Sequence, residues 1–197
     1  MAETHIYIEG TSLAKGFNGR MIFSGIGIRA AAGSPVAVTG PNGSGKSTLL
    51  EILAGLRKPT SGEVRRAPGG AEAIGFMSPR LTLYGELTAL ELLEFAAKSS
   101  GASARALPLL EGFGLSAHGH SRIGSFSTGM LQRLKFITAV INDPPLLFLD
   151  EPCSNLDAPG RDAIFKYLRS LQEKKAIVIA TNDAAEADFC AGRVGLG

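Results

Sequence analysis

The chain has 197 residues, of which 45% are apolar and 19% charged, with a formal net charge of +2 at neutral pH. That length allows a sizeable core in one globular unit, and so small a charge gives no field argument for nucleic acid as a partner. Cys153 and Cys190 have no metal-ligand spacing and suggest a reducing compartment; no run reaches the roughly 18 apolar residues of a membrane span, and MAETHIYIEG lacks the basic flank and apolar stretch of a secretory signal.

In chain order, residues 5–12 and 20–29 read as two strands of a hairpin around Lys15-Gly16-Phe17-Asn18-Gly19. Residues 35–39, PVAVT, read as a short buried strand, and residues 47–53 continue as a helix with apolar residues at helical spacing. Residues 56–62 end that helix and turn into a strand near 63–66, and residues 74–77 make another short strand. From 87 to about 115 the apolar residues recur at helical spacing, with Gly101, Pro108, Gly112 and Gly114 breaking the run, as in a small helical insert. A long helix is expected from Ile123 through Gln132, Phe136 and Val140, stopped by Pro144-Pro145. Strand 146–149, helix 161–173 and strand 176–180 complete an alternating α/β pattern. No internal repeat or low-complexity tract interrupts it.

Between the strand at 35–39 and the helix after it lies GPNGSGKST: Gly40, Pro41, Asn42, Gly43, Ser44, Gly45, Lys46, Ser47, Thr48. Gly40, Gly45, Lys46 and Ser47 occupy the fixed positions of G-x-x-x-x-G-K-[ST]. Each part has a physical task. The glycines let the backbone curl until successive N–H groups face a phosphate. Lys46 sets a point charge on the β- and γ-phosphates, and the Ser47 hydroxyl suits an Mg²⁺ shell. The helix begins there with its positive end toward the anion. Strand, glycine loop and helix in that order point to a nucleoside triphosphate site.

A second constellation is LLFLDEP, residues 146–152. Four apolar residues make a buried strand, and two carboxylates stand at its C-terminal end, where open parallel sheets bind ligands. Asp150 is placed to hold Mg²⁺, and Glu151 to accept a proton from, or orient, the attacking water. Two acids in such a place are by themselves as often a cap and a turn; the P-loop upstream favours the catalytic role.

Taken together, these segments resemble an ATP-binding cassette (ABC) ATPase, the nucleotide-binding subunit of an ABC transporter, from about Leu13 to Asn182. The likeness includes FSTGMLQR at 126–133, similar to the LSGGQ signature, and Ser154-Asn155-Leu156-Asp157, similar to the D-loop. It implies one domain, residues 1–197: a P-loop, RecA-like core with a parallel sheet (1–78 and 126–197), an N-terminal antiparallel β-subdomain, and a helical subdomain at about 79–125. Ser127, Thr128 and Gly129 open a helix whose exposed N–H groups and hydroxyl can form an anion site, although in isolation such a run reads by default as a simple N-cap. The resemblance implies that this helix end caps the γ-phosphate held by a second subunit, a homodimeric or heterodimeric partner, with Asp157 at the same junction. Phe17, which on its own reads more readily as packing, falls where the family stacks an aromatic ring on adenine. ATP and Mg²⁺ are the implied cofactors and separate membrane permease subunits the implied partners. Nucleic acid is not expected, and the implied location is cytoplasmic, peripheral on the inner membrane face.

Two positions depart from the family pattern. Pro79 stands where a glutamine usually follows the strand, and proline has neither a side-chain amide nor an N–H, leaving Ser78 or a water as substitutes. Asn182 stands at the switch histidine; it can donate an N–H to phosphate but carries no charge and shuttles no proton. Hydrolysis is expected to survive at a slow or altered rate, with Lys46, Glu151 and Asn182 as the catalytic set. Two alternatives stay in view: a soluble ABC-type ATPase acting on ribosomes or DNA, and a slow or non-hydrolysing nucleotide-sensing cassette.

Overall fold

The computed structural model describes residues 6–66 and 74–197, so His5, which opens the first expected strand, lies outside it. The chain forms two compact units, one of Met1–Phe76, Pro145–Glu151 and Leu171–Gly197, the other of Met77–Pro144 and Pro152–Ser170.

In the first unit β1 (Ile6–Phe17) pairs antiparallel with β2 (Arg20–Ala31) and β4 (Ser61–Arg66), in the order β2-β1-β4. Only Asn18 (φ 49°) and Gly19 (φ 78°) turn the hairpin. Both are left-handed, as a two-residue turn matched to strand twist requires, so this dipeptide reverses the chain without help. Lys15, Gly16 and Phe17, expected in the turn, are therefore strand residues, with Gly16 opposite Met21 and Phe17 opposite Arg20.

The second sheet of this unit has the order β5-β6-β7-β3-β8, built from Ile74–Met77, Leu146–Asp150, Ala176–Ala180, Val36–Thr39 and Gly192–Gly195. β6, β7, β3 and β8 run parallel. Every residue of β6 and β7 is buried, as the apolar runs of strands covered on both faces require. Helix α1 (Lys46–Ala54) packs on β6 and β7 through Leu49, Leu50 and Leu53, all without exposed surface, and stops at left-handed Gly55. Ile8, Leu13, Phe23 and Ile28 of the antiparallel sheet join Phe148 and Val178 in the same core. Truncating one such leucine to alanine costs about 2–5 kcal/mol.

The second unit is helical: α2 (Ala89–Ala96), α3 (Ser100–Ser103), α4 (Ala106–Gly112), α5 (Thr128–Val140) and most of α6 (Ala158–Leu171). Two of the expected breakers do end the run: Gly112 is the last residue of α4, and Gly114 follows with a left-handed φ of 66°. The other two do not, since Gly101 lies inside α3 and Pro108 sits in the first turn of α4, where a missing N–H is tolerated. The chain leaves α2 instead at Ala97, where Asn142 accepts from the Lys98 N–H and donates to the Ala96 carbonyl, both at 2.8 Å. The helix expected from Ile123 begins at Thr128: residues 123–125 form a separate 3₁₀ turn, and Phe126 and Ser127 are extended. Likewise α6 starts at Ala158, earlier than expected, because Asp157 Oδ1 accepts the Gly160 N–H at 3.0 Å and caps it. Phe113, Phe136 and Tyr167 form an aromatic cluster with ring centroids 5.2–5.9 Å apart. Among the described residues no helix is long and apolar enough to cross a membrane.

Candidate nucleotide-binding site

Strand register builds the site in the first unit. Val38 of β3 and Asp150 of β6 both pair with Ala180 of β7, so three parallel strands end side by side. The Thr181 N–H donates to the Val38 carbonyl at 3.0 Å, and the Glu151 N–H donates to the Ala180 carbonyl at 2.9 Å. The glycine loop after Thr39, Glu151 after Asp150 and Asn182 after Thr181 thus leave the sheet along one edge, the carboxyl edge that holds ligands in open α/β sheets.

The loop has the backbone that its glycines promised. Gly40, Gly43 and Gly45 have φ of 147°, 84° and 99°. A Cβ on Gly45 would lie 2.7 Å from Ile22 Cγ2 and 2.9 Å from Phe23 Cδ1, so β2 presses against the loop where only glycine fits. Lys46 is buried, and its Nζ donates to the carbonyls of Gly40 (2.8 Å) and Pro41 (3.2 Å). Among the described residues no carboxylate pairs with this ammonium, and Ser44 Oγ is buried without a hydrogen-bond partner. No side chain caps the first turn of α1. A buried cation, an orphaned hydroxyl and an uncapped helix end in one loop fit a polyphosphate. Pro41, Asn42 and Gly43 are exposed at the loop's rim; Ser47 and Thr48 are half-buried in α1.

Asp150 is buried at the end of β6. Glu151, half-buried, has φ 50°, a left-handed conformation rare for a non-glycine residue and held here by its N–H bond to β7. Asn182 is exposed, and its amide nitrogen donates to Asn42 Oδ1 in the loop. That bond joins residues 140 positions apart, which no local pattern announces. A cavity of about 340 Å³ opens beside them, lined by Thr39, Gly40, Pro41, Thr181, Asn182 and Arg193 among others. No group of three or more His, Cys, Asp or Glu gathers as a metal cage among the described residues. One hydroxyl and one carboxylate, Ser47 and Asp150, suit an Mg²⁺ that keeps several waters and takes its other ligands from phosphate.

Phe17, 40% exposed, ends β1; Lys15 Nζ and the Arg57 guanidinium stand 5.0 and 5.4 Å from its ring centroid. Neither cation was singled out by sequence, although Lys15 alternates with Phe17 along one strand.

The second unit brings the signature and the D-loop together. Ser127 is the N-cap of α5, its Oγ accepting the Met130 N–H at 3.3 Å; Ser127 and Thr128 are exposed and Gly129 is half-buried. A Cβ on Gly129 would stand 3.3 Å from the Asn155 carbonyl oxygen. Buried Gln132 donates from Nε2 to Ser154 Oγ (3.0 Å) and to the Pro152 carbonyl (3.3 Å), tying the helix to that loop. Asp157 faces its own helix as the cap described above. Pro79 offers its carbonyl to Lys135 Nζ of α5 at 2.8 Å, and burial pushes that lysine below its ordinary range. Ser78 Oγ accepts the Arg80 N–H at 3.2 Å and so closes its own turn.

The family model described as ABC transporter matches residues 23–154. The chain is 35% identical over 185 residues to the uncharacterized ABC transporter ATP-binding protein YxlF of Bacillus subtilis, covering 90% of this chain and 63% of that protein. It is 34% identical over 208 residues to the daunorubicin resistance ATP-binding protein DrrA3 of Streptomyces coeruleorubidus, covering 98% and 65%. It therefore spans under two thirds of the length of these relatives. Among solved structures, the dimeric structure of MJ0796, a bacterial ABC transporter cassette, superposes with a TM-score of 0.85 at 28% identity, over 96% of this chain and 94% of that one. An antiparallel β-sheet beside a P-loop parallel sheet, a glycine loop followed by Asp-Glu on registered strand ends, and a family match over residues 23–154 lead to one conclusion: the chain belongs to the ABC transporter family and carries its ATP-binding cassette fold.

Proposed function

We propose that the chain is the ATP-binding and ATP-hydrolysing subunit of an ABC transporter, one cassette spanning residues 1–197, working at the cytoplasmic membrane face through separate permease subunits. The supporting observation is the shared strand-end edge: the glycine loop, Asp150-Glu151 and Asn182 leave β3, β6 and β7 in register. Gly40, Pro41, Asn42, Gly43, Ser44, Gly45, Lys46, Ser47 and Thr48 cradle the triphosphate, Phe17 stacks on the base, and Asn182 donates toward the γ-phosphate. Ser47 and Asp150 would hold Mg²⁺, which would supply positive charge against that developing on the transferring group. Glu151 orients and deprotonates water for in-line attack. Lys46 then neutralises the phosphoryl oxygens. Ser127, Thr128 and Gly129 of one copy, with Asp157 beside them, complete the site of a second, so two ATP molecules seal a head-to-tail pair. The solved dimer of a related cassette supports pairing, and the name of the daunorubicin-resistance relative favours export of a small molecule.

The test compares wild type, Lys46→Ala and Glu151→Gln by steady-state phosphate release and by light scattering with MgATP. Lys46→Ala is expected to lose nucleotide binding and pairing. Glu151→Gln is expected to bind ATP, to lose at least 100-fold in turnover, an order-of-magnitude figure for a general base, and to accumulate as a dimer. Normal turnover in Glu151→Gln, or ATP-driven pairing in Lys46→Ala, overturns the assignment.

A further inference from the structure

The ring of Phe17 is not a lone aromatic at a strand end. Lys15 Nζ stands 5.0 Å and the Arg57 guanidinium carbon 5.4 Å from its centroid. Both cations are themselves anchored away from the ring: Lys15 Nζ donates to the Lys58 carbonyl at 2.9 Å, and Arg57 Nε donates to Glu51 Oε2 at 2.7 Å. Glu51 belongs to α1, the helix whose first residue is Lys46 of the glycine loop. Further bonds knit the same turn to the hairpin. The Thr60 N–H donates to the Ala14 carbonyl at 2.8 Å, and Thr60 Oγ1 accepts the Gly16 N–H at 3.1 Å.

We propose that Lys15 and Arg57 are positioning residues for the nucleobase, two anchored cations that fix the Phe17 ring as a ready stacking face. The inference rests on the nucleotide-site reading above and extends it to residues outside the family motifs. An unbraced phenylalanine at a strand end would lose its rotamer freedom on stacking, which weakens binding. Here the cation–ring attraction meets that cost before the base arrives. Phe17 is 40% exposed with both cations in place, so they leave the residue accessible to a base rather than burying it. The brace also makes α1 and its C-terminal turn one continuous support, with phosphate at its beginning and base beside its end.

The experiment is calorimetric titration of the full chain with MgADP, and with inorganic pyrophosphate, which has the phosphates but no base. Lys15→Met and Arg57→Gln are each expected to weaken ADP binding about two- to fivefold, the range of an exposed cation–π contact, and to leave pyrophosphate affinity unchanged. Arg57→Lys is expected to restore most of the loss. In a Phe17→Leu background both losses are expected to vanish. Equal losses with pyrophosphate would reduce the cations to general phosphate attraction and overturn the proposal. So would tighter ADP binding, which would mean that they obstruct the ring, or undiminished losses without Phe17. If wild type binds neither ligand, or Lys46→Ala binds both as well as wild type, the nucleotide site itself is misassigned and the inference falls with it.

Discussion

Replacing Gln132 with leucine measures how firmly the Ser-Thr-Gly helix tip is tied to the loop at 152–157. Gln132 is 5% exposed, and its amide nitrogen serves two acceptors, Ser154 Oγ at 3.0 Å and the Pro152 carbonyl at 3.3 Å. Leucine keeps much of the volume but strands both acceptors, and an abandoned buried polar group costs about 1–3 kcal/mol. The expected loss is about 2 kcal/mol, or a fall in melting temperature of about 4–8 °C for a chain of this size. Ser154→Ala removes one acceptor and leaves Gln132 its bond to Pro152, so about 1 kcal/mol is expected. The decisive number is the double mutant, in which the two losses overlap and leave a coupling of about 1 kcal/mol. Urea unfolding of the four proteins supplies it, provided the slopes with denaturant stay equal. Strict additivity would show that the bond carries no energy between helix and loop, and would refute the reasoning.

Gly45→Ala forces a side chain into a left-handed backbone at φ 99° and against Ile22 and Phe23 at under 3 Å; strain and overpacking together predict a loss of about 2–5 kcal/mol in urea unfolding, and a loss under 0.5 kcal/mol would contradict the packing. Burial, reinforced by the Glu186 charge, pushes the Cys190 thiol up to about 12, and Cys153 is 1% exposed. A thiol reagent at pH 7.5 is therefore expected to label neither cysteine quickly in native protein and both in urea; one fast equivalent would count against it. The Thr88 backbone N–H, and then its hydroxyl, hold the Glu91 carboxyl below its ordinary range in the capping box of α2. A folded-state pKa below the unfolded one gives stability that is present above the ordinary glutamate range and lost as pH falls through the folded value. Thermal melts from pH 6 to pH 3 should therefore converge on those of Glu91→Gln, whose amide keeps the box without titrating.

The glycine loop was legible because its mechanism is local: two glycines, a lysine and a serine at fixed spacing, with Gly43 between them, determine their own backbone, and the structure has Gly40, Gly43 and Gly45 at positive φ. The strand ends were legible for a related reason, since a fully apolar run stopping at a polar Asp150 or Thr181 marks where a buried strand ends. Local weight also misled. The cluster Lys15-Gly16-Phe17-Asn18-Gly19 looked like one turn, yet Asn18-Gly19 suffices and the other three residues pair in strands. Gly112 and Gly114 do mark the end of α4, but Gly101 and Pro108 lie within helices, where in a short helix or a first turn they cost little, and the exit of α2 is held by a distant partner, Asn142. Helix α7 (Ala184–Phe189) and β8 went unread, although Asp183 with Glu186 three residues on is a capping pattern. β8 has only four residues, two of them glycine, and owes its place to the backbone ladder with β3.

Both departures from the family pattern are built into hydrogen-bonded structure. At residue 79 proline brings no side-chain amide, and its backbone carbonyl accepts from Lys135 of α5 at 2.8 Å. At residue 182 a neutral amide replaces an imidazole and donates to Asn42, inside the glycine loop itself. A histidine there would change charge between pH 5 and 8, whereas an amide has no charge to change. The bond from Asn182 to the loop accordingly has one strength across the physiological range, set by geometry alone. Two strand ends, β3 and β7, are thus coupled twice, once through the Thr181 N–H to the Val38 carbonyl and once through this pair of amides. A ligand that reoriented Asn42 would either break this bond or carry the Asn182 side chain with it, so the glycine loop and the end of β7 share one uncharged contact.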